Sequence, residues 1–537
     1  MSTLFERLLK ARGLDKAFLM PKYEDLEDSN SLPDINIAIN RLKMAIDSHE
    51  KILIYGDYDV DGVTASTVME EALKLAGVKP DNLEIMLPDR FLDGYGMSPK
   101  LVKRAKTTGA TLVVTVDCGS RNHEIIDELN ELKIDTIVTD HHETGDILPN
   151  ALAVINPKRK DYLNTNLKSL AGVGVAFKVA EALEKAGLIE SGQEKWLLDL
   201  VLIGTICDSM PLTGENHILG FYGLKVLSKT RRLGLKEIMK NSGVKNLNSE
   251  SIGFQIGPRL NAAGRLDTAE LSLNLLRTTS APEAATLAGK LETLNKKRKT
   301  EQISATNEIK KRGVRNEPVI IETGEWHEGI LGIVAGKLVE LYQKPAFVLT
   351  ETENGFLKGS GRSFGEFNLS EALNHAKDLI ISGGGHAGAA GVRLEQKNLY
   401  AFRERINSYY ESLNLKNQAK YLKPIPDLEV EDLSELNLDF LGELSMLEPF
   451  GPGNEEPIFR LKNVEIDLIR KMGNEGQHLR LDVKDKNSHI LKLVAFFAPE
   501  EWLNLDYDAK VEPLIKLTEN EFNGVRSIEA RIIDIVL

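Results

Sequence analysis

Five short runs rich in β-branched residues, at 51–55, 83–87, 111–116, 134–139 and 151–155, alternate with stretches of helical composition such as 64–76 and 122–132. Strands that alternate with helices predict a parallel sheet covered by helices on both faces. Three of the runs end in acids. Asp57, Asp59 and Asp61 precede Gly62 after the first, Asp117 follows the third, and Asp140 with His141 and His142 follows the fourth. In such sheets ligands collect outside the carboxyl ends of the strands, so three separate segments are expected to converge on one rim. An aspartate after a strand ordinarily caps the next helix. A set of this size asks for more, because clustered carboxylates repel one another unless a cation neutralises them. Oxygen and imidazole donors without thiolates favour Mn²⁺ or Mg²⁺ over structural zinc. They also outnumber what one open catalytic ion takes from protein, which points to two ions, the arrangement used for phosphoryl displacement.

At 537 residues the chain is too long for a single core. Residues 170–279 have helical composition, and 282–312 predict one helix of about 30 residues that connects two parts of the chain. Residues 317–413 mix strands and helices again, as in a second, smaller α/β domain. The tail from 458 alternates apolar and polar residues, the pattern of a small antiparallel barrel. The expected division is a catalytic domain with an N-terminal extension and a helical part at 1–280, a connecting helix at 281–315 and the second α/β domain at 316–422. An acidic connecting segment at 423–457 and the barrel at 458–537 complete it. No tandem repeat is present.

Composition excludes several classes. Counts of 43 Gly and 19 Pro exclude collagen-like and low-complexity chains. No apolar run approaches the ~18 residues of a membrane span, and residues 1–22 lack the apolar core of a signal peptide, so a cytoplasmic protein without a membrane partner is expected. Two cysteines, Cys118 and Cys207, cannot make a disulfide framework or a four-thiolate zinc site, and packing is their expected role. A net charge of −13 argues against a generally basic, non-specific nucleic-acid coat. It leaves room for a local groove. Lys290, Lys296, Lys297, Arg298, Lys299, Lys310, Lys311, Arg312 and Arg315 make a positive stripe on the connecting helix that suits a phosphate backbone, or equally a solvated face.

The second domain carries its own signal in GGGHAGAAG at 383–391. Backbone free of side chains can approach a phosphate and offer N–H donors at a following helix, though such glycines also suit a ligand-free strand-to-helix turn. Arg362, in GSGRS at 359–363, is a candidate for bidentate phosphate contact.

Together, DYDVDG at 57–62, DHH at 140–142 and the glycine-rich stretch resemble the DHH/DHHA1 phosphoesterases. The resemblance is closer still to the single-strand-specific exonucleases within them. It rests on PDRFLDGYG at 88–96, GTICD at 204–208 ahead of MPL at 210–212, GPRLNAAGR at 257–265, WHEGILGIVA at 326–335 and PFGPGN at 449–454. The fold it implies is α/β, with a parallel-sheet DHH domain, a long connecting helix, a smaller α/β DHHA1 domain and a C-terminal OB-like β-barrel. It implies metal binding by Asp57, Asp59, Asp61, Asp117, His141 and Asp208, with Asp117 as the bridge, and catalysis by His142, Asp117 and Asp59. His142 is expected to face the substrate phosphate. Arg362, Gly384, Gly385 and His386 would hold the terminal nucleotide, with Arg90, Arg259 and Arg265 as further substrate-binding candidates. Many DHH phosphoesterases have histidine four residues before the middle acid. Tyr55 stands there in this chain, and Asp57 is expected to substitute for the missing ligand.

The activity implied is two-metal 5′ to 3′ exonucleolytic hydrolysis of single-stranded DNA to 5′-mononucleotides, in DNA repair and recombination. Single-stranded DNA is the expected partner, with a helicase and a single-strand-binding protein as further candidates. Two other readings are a small-substrate phosphoesterase acting on nanoRNA or cyclic dinucleotides, and a non-catalytic scaffold of the same fold. The long helix and extra barrel favour a polymeric substrate, and the intact acids disfavour a scaffold. Of the barrel aromatics Phe496, Phe497, Trp502 and Tyr507, most are expected in the core, with base stacking as the alternative.

Overall fold

The five β-branched runs form β1 (Ile52–Tyr55), β2 (Leu83–Met86), β3 (Leu112–Val116), β4 (Asp135–Thr139) and β5 (Ala153–Ile155). They lie in the order β2-β1-β3-β4-β5, and every neighbouring pair is parallel. Central strands β1 and β3 are buried throughout, as a sheet covered on both faces requires. On one face Leu53, Tyr55, Val113 and Val138 pack against Leu101, Ile126 and Leu129. The computed structural model describes residues 1–536 except 95, 165, 353–354, 416–423, 474–475 and 523. Tyr95 of the PDRFLDGYG stretch, and the end of the expected 316–422 domain together with Lys423, therefore lie outside the described residues. Two units emerge, one comprising 27–210 and 214–418, the other 1–26, 211–213 and 419–537.

In the larger unit the helix expected from 64 begins at Val60 and runs to Leu75. Asp59 is its N-cap, its side chain accepting a hydrogen bond from Gly62 N at 3.1 Å, so Asp59 and Asp61 belong to a helix start and not to a free loop. Helices Gly172–Lys185 and Leu198–Cys207 pack against it. The connecting helix spans Ala281–Arg312, capped by Ser280 and ended at Gly313. Beyond it, β6 (Ile320–Gly324), β7 (Ala346–Glu351), β8 (Phe356–Arg362), β9 (Ser382–Gly385) and β10 (Ala389–Glu395) form a mixed sheet in the order β6-β7-β8-β10-β9. The glycine-rich stretch makes the β9–β10 hairpin, so no helix follows it as the sequence led us to expect. Three backbone bonds hold its tip: His386 N to Ala389 O (2.8 Å), Ser363 N to Gly388 O (2.9 Å) and Leu369 N to Ala387 O (3.0 Å).

The smaller unit contains β11 (Leu428–Val430), β12 (Phe459–Leu461), β13 (Val464–Met472), β14 (His478–Lys484), β15 (Ile490–Ala495), β16 (Lys510–Phe522) and β17 (Val525–Val536). The sheet runs β11-β12-β16-β13-β14-β15-β17 and closes through β16–β17, with parallel pairs at β11–β12 and β15–β17 and antiparallel pairs elsewhere. Two expected boundaries move. Residues 427–457 are no simple connector, because β11 pairs with β12 and Phe440 and Leu447 enter the barrel core. The N-terminal segment, grouped by sequence with the catalytic domain, belongs here as well. Leu4, Phe5, Leu8 and Leu9 form one apolar face of helix Thr3–Arg12 and are buried with Val430, Phe459 and Ile515. Arg12 holds Asp427 through Nε–Oδ1 (2.7 Å) and Nη2–Oδ2 (3.0 Å). Of the four barrel aromatics only Trp502 is core; Phe496, Phe497 and Tyr507 are 63%, 76% and 64% exposed, because they lie beyond the end of β15 and in the segment leading to β16. Among the described residues no helix is long and apolar enough to cross a membrane.

Phe5 is fully buried in this core. Phe5→Ala should therefore destabilise the barrel by ~3–5 kcal/mol, read as faster hydrogen exchange in β13 to β17 with β1 to β5 unchanged. Unchanged exchange in the barrel would contradict the reassignment of the N-terminal helix.

Candidate metal centre and substrate slot

The rim of the parallel sheet gathers the acids. Asp57 follows β1, Asp59 caps the next helix, Asp61 lies in its first turn, and Asp117 follows β3 with a left-handed φ of 61°. Asp208 caps the C-terminus of helix Leu198–Cys207, and His141 follows β4. Asp61 accepts from Gly172 N (2.6 Å) and Val173 N (2.9 Å), which fixes it to the start of another helix. Only glycine fits at 172, because a Cβ there would stand 2.5 Å from Asp117 Oδ1.

Side-chain donors fall into overlapping sets. Asp57, Asp59 and Asp117 offer oxygens within 4.8 Å of one another, as do the ligand atoms of Asp61, His141 and Asp208, and Asp117 also forms such a set with the two histidines. His141 Nε2 lies 3.1 Å from Asp117 Oδ1, 3.5 Å from Asp208 Oδ2 and 3.7 Å from Asp61 Oδ2. Asp117 thus sits where the two acid sets meet. Its Oδ1, Asp57 Oδ1 and His141 Nε2 are buried without a hydrogen-bond partner. Buried polar atoms left this way are costly, and a divalent cation is the partner that fits oxygen and imidazole donors together.

The electrostatics agree. Burial, then the charge of Asp59, pushes Asp57 well above the usual carboxylate range and Asp61 up to about 7. Burial, then repulsion from Asp61 and Asp59, raises Asp208 to about 8, and burial with four neighbouring acids raises Asp117 strongly. His141 moves the other way, down to about 3, through burial and the adjacent His142 cation, and so presents a neutral imidazole. A cation in the cluster would reverse the penalty on the acids and use that neutral nitrogen.

His142 is different. Burial opposes its charge, but its Nδ1 lies 2.8 Å from Asp140 Oδ1, and that bond with the surrounding carboxylates lifts its pKa to about 9. Burial opposes the charge of Asp140 as well, yet the His142 bond holds its carboxyl below the usual range. Asp140 also accepts from Ser120 N, His141 N and His142 N. No role was assigned to Asp140 from sequence, although it is the first residue of DHH; the structure makes it the group that orients and charges His142. The His386 ring stacks on the His142 ring with centroids 6.3 Å apart, so the β9–β10 hairpin reaches the acid rim.

The predicted arginines divide. Arg265 is lowered to about 9, first by burial and then by repulsion from Arg90, Arg362 and Arg298. Among the described residues none of these four has a carboxylate within 4 Å. Their polar contacts are weak or neutral: Arg265 Nη1 donates to Gly329 O (3.2 Å), Arg362 Nη1 to Gly361 O (2.7 Å), and Arg90 lies 4.9 Å over the Tyr58 ring. Guanidiniums brought together without a paired acid have the chemistry to hold an anion. Arg259 is no part of it, since its Nε is bound by Glu292 at 2.6 Å and its Nη1 donates to Gln255 O. Gly384 and Gly385 lie on exposed edge strand β9. Arg298 was expected only as part of the basic stripe, and no sequence signal separated it from the solvated lysines beside it. Lys296 and Lys297 are exposed and face Glu292 (3.7 Å) and Glu301 (3.8 Å), whereas Arg298 turns inward and donates to Asn295 Oδ1 (3.2 Å). Tyr55, in place of the family's histidine, is buried and donates from its hydroxyl to Gly96 O (3.0 Å).

The chain resembles known proteins along its length. The DHH family, N-terminal domain, matches residues 51–205, the DHHA1 domain 316–412 and the RecJ OB domain 427–534. The single-stranded-DNA-specific exonuclease RecJ of Bacillus subtilis (strain 168) is 35% identical over 547 residues, covering 99% of this chain and 68% of that one. The crystal structure of RecJ in complex with Mn²⁺ from Thermus thermophilus superposes with a TM-score of 0.83 at 29% identity, covering 99% of this chain and 76% of that one. The corresponding complex with Mg²⁺ gives 0.77 at 27% identity, covering 99% and 74%.

Between about pH 4 and pH 8 the folded, cation-free protein keeps protons on Asp61 and Asp208 that the unfolded chain has lost, so the stability these two groups contribute falls as pH rises. Asp208→Asn removes one of the charges. With divalent cations chelated, the Tm of this variant relative to the original protein should climb from about pH 5 to about pH 8. A difference constant with pH would contradict the repulsion.

Proposed function

The chain belongs to the RecJ family of single-stranded-DNA-specific exonucleases, and we propose that it degrades a free strand from its 5′ end, releasing 5′-mononucleotides. What carries this reading is the pairing of two acid sets that meet at Asp117 with a slot of arginines that form no ion pair among the described residues. Asp57, Asp59 and Asp117 would hold one Mn²⁺ or Mg²⁺, and Asp61, His141 and Asp208 the other, with Asp117 shared. When bound, such ions polarise phosphoryl oxygens and lower the pKa of water.

The chain's own groups do the rest. Arg90, Arg265 and Arg362 would bind substrate phosphates, a natural use of guanidiniums that form no ion pair with a carboxylate among the described residues. His142, kept protonated by Asp140, lends a positive N–H to the scissile phosphate, where negative charge grows as the bond breaks. The His386 ring brings the DHHA1 side of the slot against His142, with Gly384 and Gly385 exposed on the strand just before it, which supports a role for all three with the terminal nucleotide. Asp59 both starts a helix and contributes an oxygen, so the helix start fixes its position. A polymeric substrate is favoured over a nanoRNA or cyclic dinucleotide because the chain carries a whole further barrel domain. The setting we propose is cytoplasmic DNA repair and recombination, with a helicase and a single-strand-binding protein as the partner classes that would supply such ends.

Incubation of the purified protein and Mn²⁺ with 5′- and 3′-labelled single strands should release the 5′ label first, as mononucleotide. Loss of the 3′ label first would reverse the polarity. Asp117→Ala and His141→Ala should each lower turnover by about 100-fold or more while the protein stays folded. Arg362→Ala should raise KM and leave Mn²⁺ binding intact; near-original turnover in the first two variants, or lost Mn²⁺ in the third, would contradict the division of roles.

A further inference from the structure

Residues 252–256 form a single π-helical turn directly ahead of the helix Gly257–Leu266. Turns of this kind are rare and occur disproportionately at functional sites. Phe254, at its centre, is 74% exposed, and among the described residues of 27–418 no other phenylalanine is mainly exposed. Isolated surface apolar groups are ordinary, but this one stands on a segment tightly braced beside the acid cluster.

The bracing is explicit. The turn crosses the last turn of helix Leu198–Cys207, which ends at Asp208. A Cβ on Gly253 would lie 3.6 Å from Ile206 Cγ2, and one on Gly257 2.4 Å from Cys207 Sγ. Gln255 O accepts from Arg259 Nη1 at 2.7 Å, and Glu292 on the connecting helix holds Arg259 Nε at 2.6 Å. Arg259 therefore secures the π turn, which accounts for its absence from the arginine slot. The following helix then passes the DYDVDG segment, where a Cβ on Gly264 would meet Tyr58 O at 2.6 Å, and its last turn carries Arg265. Phe254 and Arg265 are thus 11 residues apart on one braced arm, about 16 Å at the helical rise.

We infer that Phe254 is a base-stacking residue of the substrate path, set by the π turn at a fixed distance from the phosphate-binding arginines so that a base packs on its ring while Arg265 engages the backbone. This rests on the single-strand reading given above. An aromatic face accepts any base, so the contact adds grip without sequence preference. It also gives a strand with unstacked bases an advantage over a duplex, whose bases are already stacked on one another.

The test uses the full chain with Mn²⁺ and single-stranded oligonucleotides carrying one abasic site at successive positions from the degraded end. The original protein should show a fall of about tenfold in kcat/KM when the missing base is the one that meets Phe254, and little change elsewhere. Phe254→Ala should lower kcat/KM on the intact strand by about tenfold, mainly through KM, and flatten the positional profile, while Phe254→Tyr keeps both. Tm should not move, because the side chain is exposed. An unchanged rate and an unchanged profile in Phe254→Ala would overturn the inference while leaving the exonuclease reading in place. An original protein that degrades no single strand would overturn that reading, and this inference with it.

Discussion

Asp57, Asp61, Asp117 and Asp208 are held close together and largely out of water; among the described residues the only cationic side chain within ion-pair distance is His142, beside the neutral imidazole of His141. Coulomb repulsion at such separations costs several kcal/mol per pair at an effective dielectric near 20. Parallel strands β1 and β3 bring two of the acid-bearing segments to one rim, and helix ends bring the others. Backbone N–H donors and glycine at 172 leave the acids little room to move apart. The sheet therefore holds the proposed ligand atoms in position before any ion arrives.

A second concentration of like charge faces the first. Arg90, Arg265, Arg298 and Arg362 are brought together from a β2-following segment, two helices and the second sheet, and no carboxylate of the described residues lies within ion-pair distance of them. Acids short of cations and arginines short of anions make complementary demands, and a phosphodiester bound at metal ions meets both. His142 links the two sides. Asp140 keeps it charged, and His386 of the DHHA1 hairpin stacks on its ring. Charges that would be unfavourable in an isolated protein become favourable once ions and strand are in place, an example of preorganisation.

The strand ends and their acids were legible because period and position suffice: a β-branched run followed by aspartate puts that carboxylate on the sheet's carboxyl rim, as at Asp117 and Asp57. Asp208 came from resemblance, since nothing in its own surroundings in sequence marks it. Arg259 shows the limit of motif reading. It shares the GPRLNAAGR stretch and one helix with Arg265, yet Arg259 turns to Glu292 and Arg265 to the slot, a choice made by packing. The hairpin at 382–395 was missed because a glycine run specifies backbone freedom and not direction, and β10 pairing decides it. The place of the N-terminal helix is another tertiary outcome. Its apolar face was visible in Leu4, Phe5, Leu8 and Leu9, but no local feature says which core will receive that face. The exposed Phe496, Phe497 and Tyr507 likewise depend on where β15 ends.

If Asp117 joins the two acid sets into one two-ion centre, the two ions must interact through it. Electron paramagnetic resonance of the protein titrated with Mn²⁺ tests it directly, because two manganese ions sharing a bridging carboxylate are magnetically coupled and isolated ions are not. A coupled signal saturating at two ions per chain is expected, replaced in Asp117→Ala by uncoupled, weaker-bound Mn²⁺. Uncoupled binding in the original protein, or a coupled pair that survives loss of Asp117, would contradict it.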